Sequence, residues 1–195
     1  DLTVEEILIR SGNIGSVRIG QKIGEEKFKS FLKIIGVQGI IDFDIEEVGK
    51  PIPINWGKCK LATASYGHGI TTTLLQLAKA YAILGNGGYK IDPSIFKDRT
   101  KNITTKKQVI SRETSKKINS ILRKVVTDKK GTASLANIYG YDVGGKTGTS
   151  QKYGDKKKNL NTFISVFPTK KPKYILFVML ENPQIATDLI YNYRG

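Results

Sequence analysis

Apolar residues recur at helical spacing through the first two-thirds of the chain and in short dense runs through the last third. Residues 4–10 (Val-Glu-Glu-Ile-Leu-Ile-Arg) predict a short helix, interrupted by Ser11-Gly12-Asn13. A helix resumes over 14–23 and stops at Gly24. Residues 25–35 then place Phe28, Phe31, Leu32 and Ile35 on one helical face ending at Gly36. Between 37 and 60, Pro51, Pro53 and several glycines predict an extended, irregular segment. The clearest helix spans 71–84, with a threonine cap before it and Asn86-Gly87-Gly88 after it. Its apolar face is broad: Leu74, Leu75, Leu77, Ala78, Tyr81 and Ala82. Residues 112–127 predict a second strong helix, with Ser111 as N-cap and a stripe of Ile118, Ile121, Leu122, Val125 and Val126.

After Gly131-Thr132-Ala133 the pattern changes to three β-like runs at 141–150, 162–167 and 174–180, joined by lysine-rich turns, Pro168 and Pro172. Connections as short as 168–173 favour antiparallel hairpins over parallel crossovers. Helices followed by an antiparallel sheet, with no internal repeat, define an α+β arrangement. Residues 1–130 form its mainly helical part and 131–195 its sheet part.

At 195 residues the chain fits one domain or a large piece of one, and 39% hydrophobic residues argue against disorder. No apolar run reaches the roughly 20 residues that a membrane span needs. The net charge of +15 comes mainly from scattered lysines, with small clusters near 156–158 and 170–173. These clusters lack the arginines and aromatics that nucleic-acid modules interleave, so a solvated basic face is the simpler reading. A nucleic-acid module would instead show steeply salt-dependent binding. Cys59 is the one cysteine and His68 the one histidine, too few ligands for a zinc site. No cofactor is expected.

The most specific string is Gly144-Gly145-Lys146-Thr147-Gly148-Thr149. A Lys-Thr-Gly-Thr tetrad arises by chance only about 0.02 times in a chain of this composition. A cation and two hydroxyls on one strand, with a glycine between them, suit an anionic ligand lying close to a strand edge. A strand ending in a hydroxyl-rich turn is the competing reading. Ser11-x-Asn13 alone is weaker, because both side chains compete for backbone groups and favour turns.

The series Ser11-x-Asn13, Tyr66-Gly67-His68-Gly69-Ile70-Thr71-Thr72-Thr73-Leu74-Leu75-Gln76-Leu77-Ala78, Gly131-Thr132-Ala133 and Gly145-Lys146-Thr147-Gly148-Thr149-Ser150 resembles a penicillin-binding protein transpeptidase domain. It is most similar to the monofunctional, division-type (class B) enzymes. The resemblance implies a cleft between the helical part and the sheet. There Ser11 relays a proton, Asn13 holds substrate or catalytic lysine, and Lys146 sets the electrostatics. It further implies that Thr147 and Thr149, flanking Gly148, bind a terminal carboxylate, and that the Thr149 amide forms half of an oxyanion hole. The implied reaction is serine acyl transfer from a D-alanyl-D-alanine stem peptide, with β-lactams as mimics. Implied too are division-complex partners, an inner-membrane anchor outside this sequence and a catalytic domain facing the periplasm. A serine β-lactamase or a β-lactam sensor shares these motifs, and the rate of deacylation separates them.

The family's Ser-x-x-Lys nucleophile belongs upstream of Ser-x-Asn. Here Ser30-Phe31-Leu32-Lys33 and Ser94-Ile95-Phe96-Lys97 both follow it, and such strings are common by chance in a lysine-rich chain. No residue of this chain is therefore expected to be the nucleophile, which is placed before Asp1, and a terminal helix is expected beyond Gly195. Such a chain alone would be inactive and fold poorly, with one sheet face and an edge uncovered. His68 is expected to be structural, and Trp56 and Cys59 to be packing residues. Leu74 stands where many relatives have proline, which a first turn favours without requiring.

Overall fold

The structure is a computed structural model that describes residues 1–46, 49–97, 107–152 and 155–184. Among the described residues, six α-helices precede three strands: α1 (Val4–Ile9), α2 (Asn13–Ile23), α3 (Glu25–Ile35), α4 (Lys60–Ala64), α5 (Leu74–Gly85) and α6 (Arg112–Thr127), then β1 (Gly144–Lys152), β2 (Asp155–Phe167) and β3 (Tyr174–Glu181). The strands form one antiparallel sheet in the order β1-β2-β3. Helices α5 and α6 lie against this sheet, and α1 packs on α6. The fold is thus α+β, as the residue pattern predicts.

Local chemistry accounts for most boundaries. Thr3 and Glu6 form a reciprocal capping box that starts α1, and Thr73 and Gln76 form another that starts α5. The second box places the start of α5 at Leu74, three residues later than the apolar pattern predicts. Ser111 caps α6 by accepting from the Thr114 amide at 3.0 Å. Gly36, at φ 77°, closes α3 in the left-handed conformation that glycine adopts without penalty. The one-turn helix α4 was not expected, since five residues among glycines and prolines carry little periodicity. The lysine cluster at 156–158, expected in a turn, belongs to β2.

The buried faces differ from the predicted stripes in an instructive way. Helix α5 buries Gln76, Ala80, Ile83 and Gly85, whereas Leu74 is exposed. A helix that is apolar nearly all round does not declare its inner face. The burial of Gln76 is offset by hydrogen bonds to both ends of its amide: it donates to the Gly39 carbonyl at 2.7 Å and accepts from the Thr73 amide at 2.9 Å. On α6, Ser115 and Asn119 are buried beside Leu122, Val125 and Val126. Ser115 donates to the Leu84 carbonyl and accepts from the Gly87 amide, while Asn119 donates to the Gly85 carbonyl. Two polar residues of α6 thereby satisfy the carbonyls that the end of α5 leaves open.

Three further sequence expectations meet the structure here. Trp56 packs edge-on against Phe28, with centroids 6.3 Å apart, beneath the Lys29 ammonium. Cys59 is not a packing residue. It is exposed, at φ 67°, because the chain reverses there to enter α4. His68 lies in the exposed turn after α4, stacked on Tyr66. On β3, Tyr174, Leu176, Val178 and Leu180 are exposed along one side of the strand. The expected terminal helix lies outside the described residues.

Candidate active site

The site begins with the end of α1. Ile7 and Ile9 are buried, and Ile9 joins Val125, Val126 and Ala133 in one apolar cluster. An ion pair between Lys124 and Glu5 adds to the same contact between α1 and α6. The chain then leaves α1 through a Schellman turn. The Gly12 amide donates to the Ile7 carbonyl at 2.8 Å, the Ser11 amide to the Leu8 carbonyl at 3.3 Å. Ser11 occupies the left-handed position of that turn, at φ 58°, where glycine is usual. A β-carbon there is strained, and strain of this kind concentrates at functional sites. Gly12 starts α2, so Asn13 becomes its first residue, exposed and two positions beyond Ser11. Gly15 lets α2 approach α1: a β-carbon there would stand 2.5 Å from the Ile7 side chain.

The second half of the site is β1, the outer strand of the sheet beside α6. Gly144 is buried at the crossing of β1 and α6, and its β-carbon would meet the Arg123 amide nitrogen at 2.8 Å and the Leu122 carbonyl carbon at 2.9 Å. Arg123 clamps the segment that leads into the strand. Its guanidinium donates to the Val143 carbonyl at 2.7 Å and to Asn137 at 3.2 Å, and lies 3.4 Å from the Asp142 carboxylate. Asp142 also takes the Lys170 amide at 3.1 Å. Burial raises the Asp142 pKa, but hydrogen bonds from Thr169 and Lys170 and the Arg123 charge outweigh it and hold the carboxyl below its ordinary value.

The two halves meet at Lys146. Its ammonium donates to the Ser11 hydroxyl at 2.7 Å and to the Thr147 carbonyl at 3.0 Å. Burial lowers the Lys146 pKa from the ordinary lysine value, since a partly desolvated ammonium is disfavoured. The Thr147 hydroxyl meets that of Thr132 at 2.9 Å. Gly148 has no room for a side chain, because a β-carbon would stand 2.6 Å from the Thr162 hydroxyl. Thr149 is exposed, paired across the sheet with Asn161.

Ser11, Lys146 and Thr147 are thus joined by direct contacts, although 135 positions separate Ser11 from Lys146. Asn13 and Thr149 each stand two positions further along the chain, from Ser11 and from Thr147. Neither Ser-x-x-Lys string belongs to this group. Ser30 and Lys33 are both exposed on α3, and the Ser94 hydroxyl donates to the Asp44 carboxylate at 2.6 Å. Thr132, Arg123 and Asp142 were missed as contributors to the site. Only Thr132 had a signal, the Gly131-Thr132-Ala133 string already counted in the resemblance.

Strand β1 thus carries a lysine bonded to a serine hydroxyl and, next along the strand, two threonines separated by one glycine. Comparison with known proteins places the chain in a family. The family described as "Penicillin binding protein transpeptidase domain" matches residues 1–194, and the chain belongs to that family. It is 34% identical to stage V sporulation protein D of Bacillus subtilis over 93% of this chain and 30% of that protein. It is 28% identical to the probable peptidoglycan D,D-transpeptidase FtsI of Caulobacter vibrioides, over 94% of this chain and 33% of the relative. Among solved structures, it superposes on the apo transpeptidase domain of penicillin-binding protein 3 from Burkholderia pseudomallei with a TM-score of 0.85. Sequence identity to that domain is 30%, over 93% of this chain and 57% of the other. The chain spans about a third of the length of the curated relatives it matches. No described helix is long and apolar enough to cross a membrane.

Proposed function

We propose that this chain supplies two of the three motifs of a class B, division-type peptidoglycan D,D-transpeptidase. The observation that carries the reading is the 2.7 Å bond between Lys146 and Ser11, which unites the strand motif with the helical one. In this reading a serine outside these 195 residues attacks the carbonyl of the D-alanyl-D-alanine bond of a stem peptide, forming an acyl-serine ester and releasing the terminal D-alanine. Its acyl group then passes to a neighbouring amine. Ser11 relays the proton, with Lys146 holding its hydroxyl in place and supplying positive potential to the cleft. Asn13 orients the peptide or the catalytic lysine. The Thr147 and Thr149 hydroxyls take the terminal carboxylate, with Gly148 allowing close approach. The Thr149 amide, on the outer strand, contributes half of the oxyanion hole, an effect worth about 3–4 kcal/mol elsewhere. β-Lactams acylate the same serine because they carry the same carboxylate and carbonyl. The division role, membrane-protein partners and a periplasm-facing location belong to this reading as well.

Peptide-mapped mass spectrometry of the intact protein after exposure to a penicillin tests it. One slowly hydrolysed adduct on a serine outside residues 1–195 is expected, and none on the isolated chain. An adduct on Ser30 or Ser94, rapid turnover, or no adduct at all would each overturn the assignment.

A further inference from the structure

The loop after α6 holds one residue in a position that no motif role explains. The Gly131 amide donates to the Asp128 carbonyl at 2.9 Å, and the Ala133 amide to the Val125 carbonyl at 3.2 Å. Gly131 lies so close to the end of α6 that a β-carbon would stand 2.2 Å from the Val125 carbonyl oxygen. Ala133 is buried in the cluster of Ile9, Val125 and Val126. Thr132 sits between these two pinned neighbours, and the hydroxyl of its exposed side chain accepts from the Thr147 hydroxyl at 2.9 Å.

We propose that Thr132 is a positioning residue for anion recognition: its hydroxyl, which accepts from Thr147 here, rotates to donate to Thr147 when Thr147 gives its proton to a substrate carboxylate. The inference rests on the reading that Thr147 binds that carboxylate. A hydroxyl has one proton and two acceptor sites. In the structure Thr147 spends its proton on Thr132; when that proton turns to an anion, the Thr147 oxygen is left to accept, and the Thr132 hydroxyl is within reach to donate in return. Hydrogen bonds in such a chain polarise one another, and the terminal bond to a charged acceptor is the stronger for it. The contact also fixes the χ1 rotamer of Thr147, which would otherwise have to be ordered as ligand binds. Tying Thr132 to the end of α6, which also packs on α1 and β1, puts the anion site in register with Ser11 and Lys146.

The test compares acylation of the intact protein by a penicillin and by its methyl ester, in wild type, Thr132→Val and Thr132→Ser. Valine keeps the shape and removes the hydroxyl; serine keeps the hydroxyl. Thr132→Val is expected to slow acylation by the free acid about fivefold to tenfold, the loss of one well-placed hydrogen bond, and to leave the ester rate unchanged. Thr132→Ser is expected to retain most of the preference for the acid. Equal slowing with acid and ester would show a merely structural role and overturn the proposal, as would an unchanged acid rate in Thr132→Val. A wild-type protein that acylates but does not prefer acid to ester would instead remove the carboxylate reading of Thr147, and this inference with it.

Discussion

Ser11 holds a backbone conformation, φ 58°, that costs a residue with a β-carbon about 1–2 kcal/mol relative to the right-handed region. Two substitutions separate that cost from the chemistry of the side chain. Ser11→Ala removes the hydroxyl that meets Lys146 and keeps the strain. Ser11→Gly removes the same hydroxyl and relieves the strain. Because both lose the 2.7 Å contact with Lys146, that term cancels between them. The difference reports the backbone alone. Glycine's larger unfolded-state entropy takes back part of the gain, leaving Ser11→Gly about 1 kcal/mol more stable than Ser11→Ala. For a unit of 150–250 residues this is about 2–4 °C in Tm. Thermal unfolding of the intact protein carrying each substitution measures it, and penicillin acylation measured alongside should be severely reduced in both. The pair would then show a site whose strain is retained because the serine is needed. An alanine variant as stable as the glycine one would refute the strain argument, and full acylation by either would refute the role of Ser11.

Two further predictions concern β1. Gly144→Ala drives a methyl group against the backbone of α6 at Leu122 and Arg123, where no side chain can swing aside. A loss of about 1–3 kcal/mol is expected, read as a lower Tm together with slower acylation, since the whole Lys146 strand is displaced. Lys146 gives a pH signature. Burial lowers its native pKa below the ordinary value of 10.5, so between the two values the unfolded chain binds more protons than the folded one. Stability therefore rises with pH across that window, while below it the folded protein carries the full cost of a partly buried ammonium. Denaturant unfolding as a function of pH should show that rise in wild type and a flatter profile in Lys146→Met.

The helices α1, α2, α3 and α6, the glycine stops of α2 and α3 and the Ser111 cap were legible from the residues, because period and capping are local properties. So were the antiparallel hairpins, since short connections leave no other geometry. The Lys146-Thr147-Gly148-Thr149 string stood out because a cation, two hydroxyls and a glycine rarely fall together on a strand. Other features depend on what each segment meets in space. The inner face of α5 could not be read from a helix that is apolar all round; the partners of Gln76 and the α6 hydroxyls against its last turn decide it. Cys59 shows the converse, an apolar residue turned outward by a chain reversal that composition does not encode. Sequence order alone placed Ser11 and Lys146 at opposite ends of the chain. Their contact exists because the Schellman turn after α1 and the crossing of β1 on α6 at Gly144 are both referred to one helix. Arg123 and Asp142, which hold that crossing, look in the sequence like any other charged surface pair. Their importance comes from the carbonyl and amide groups they meet, and only the tertiary fold supplies those.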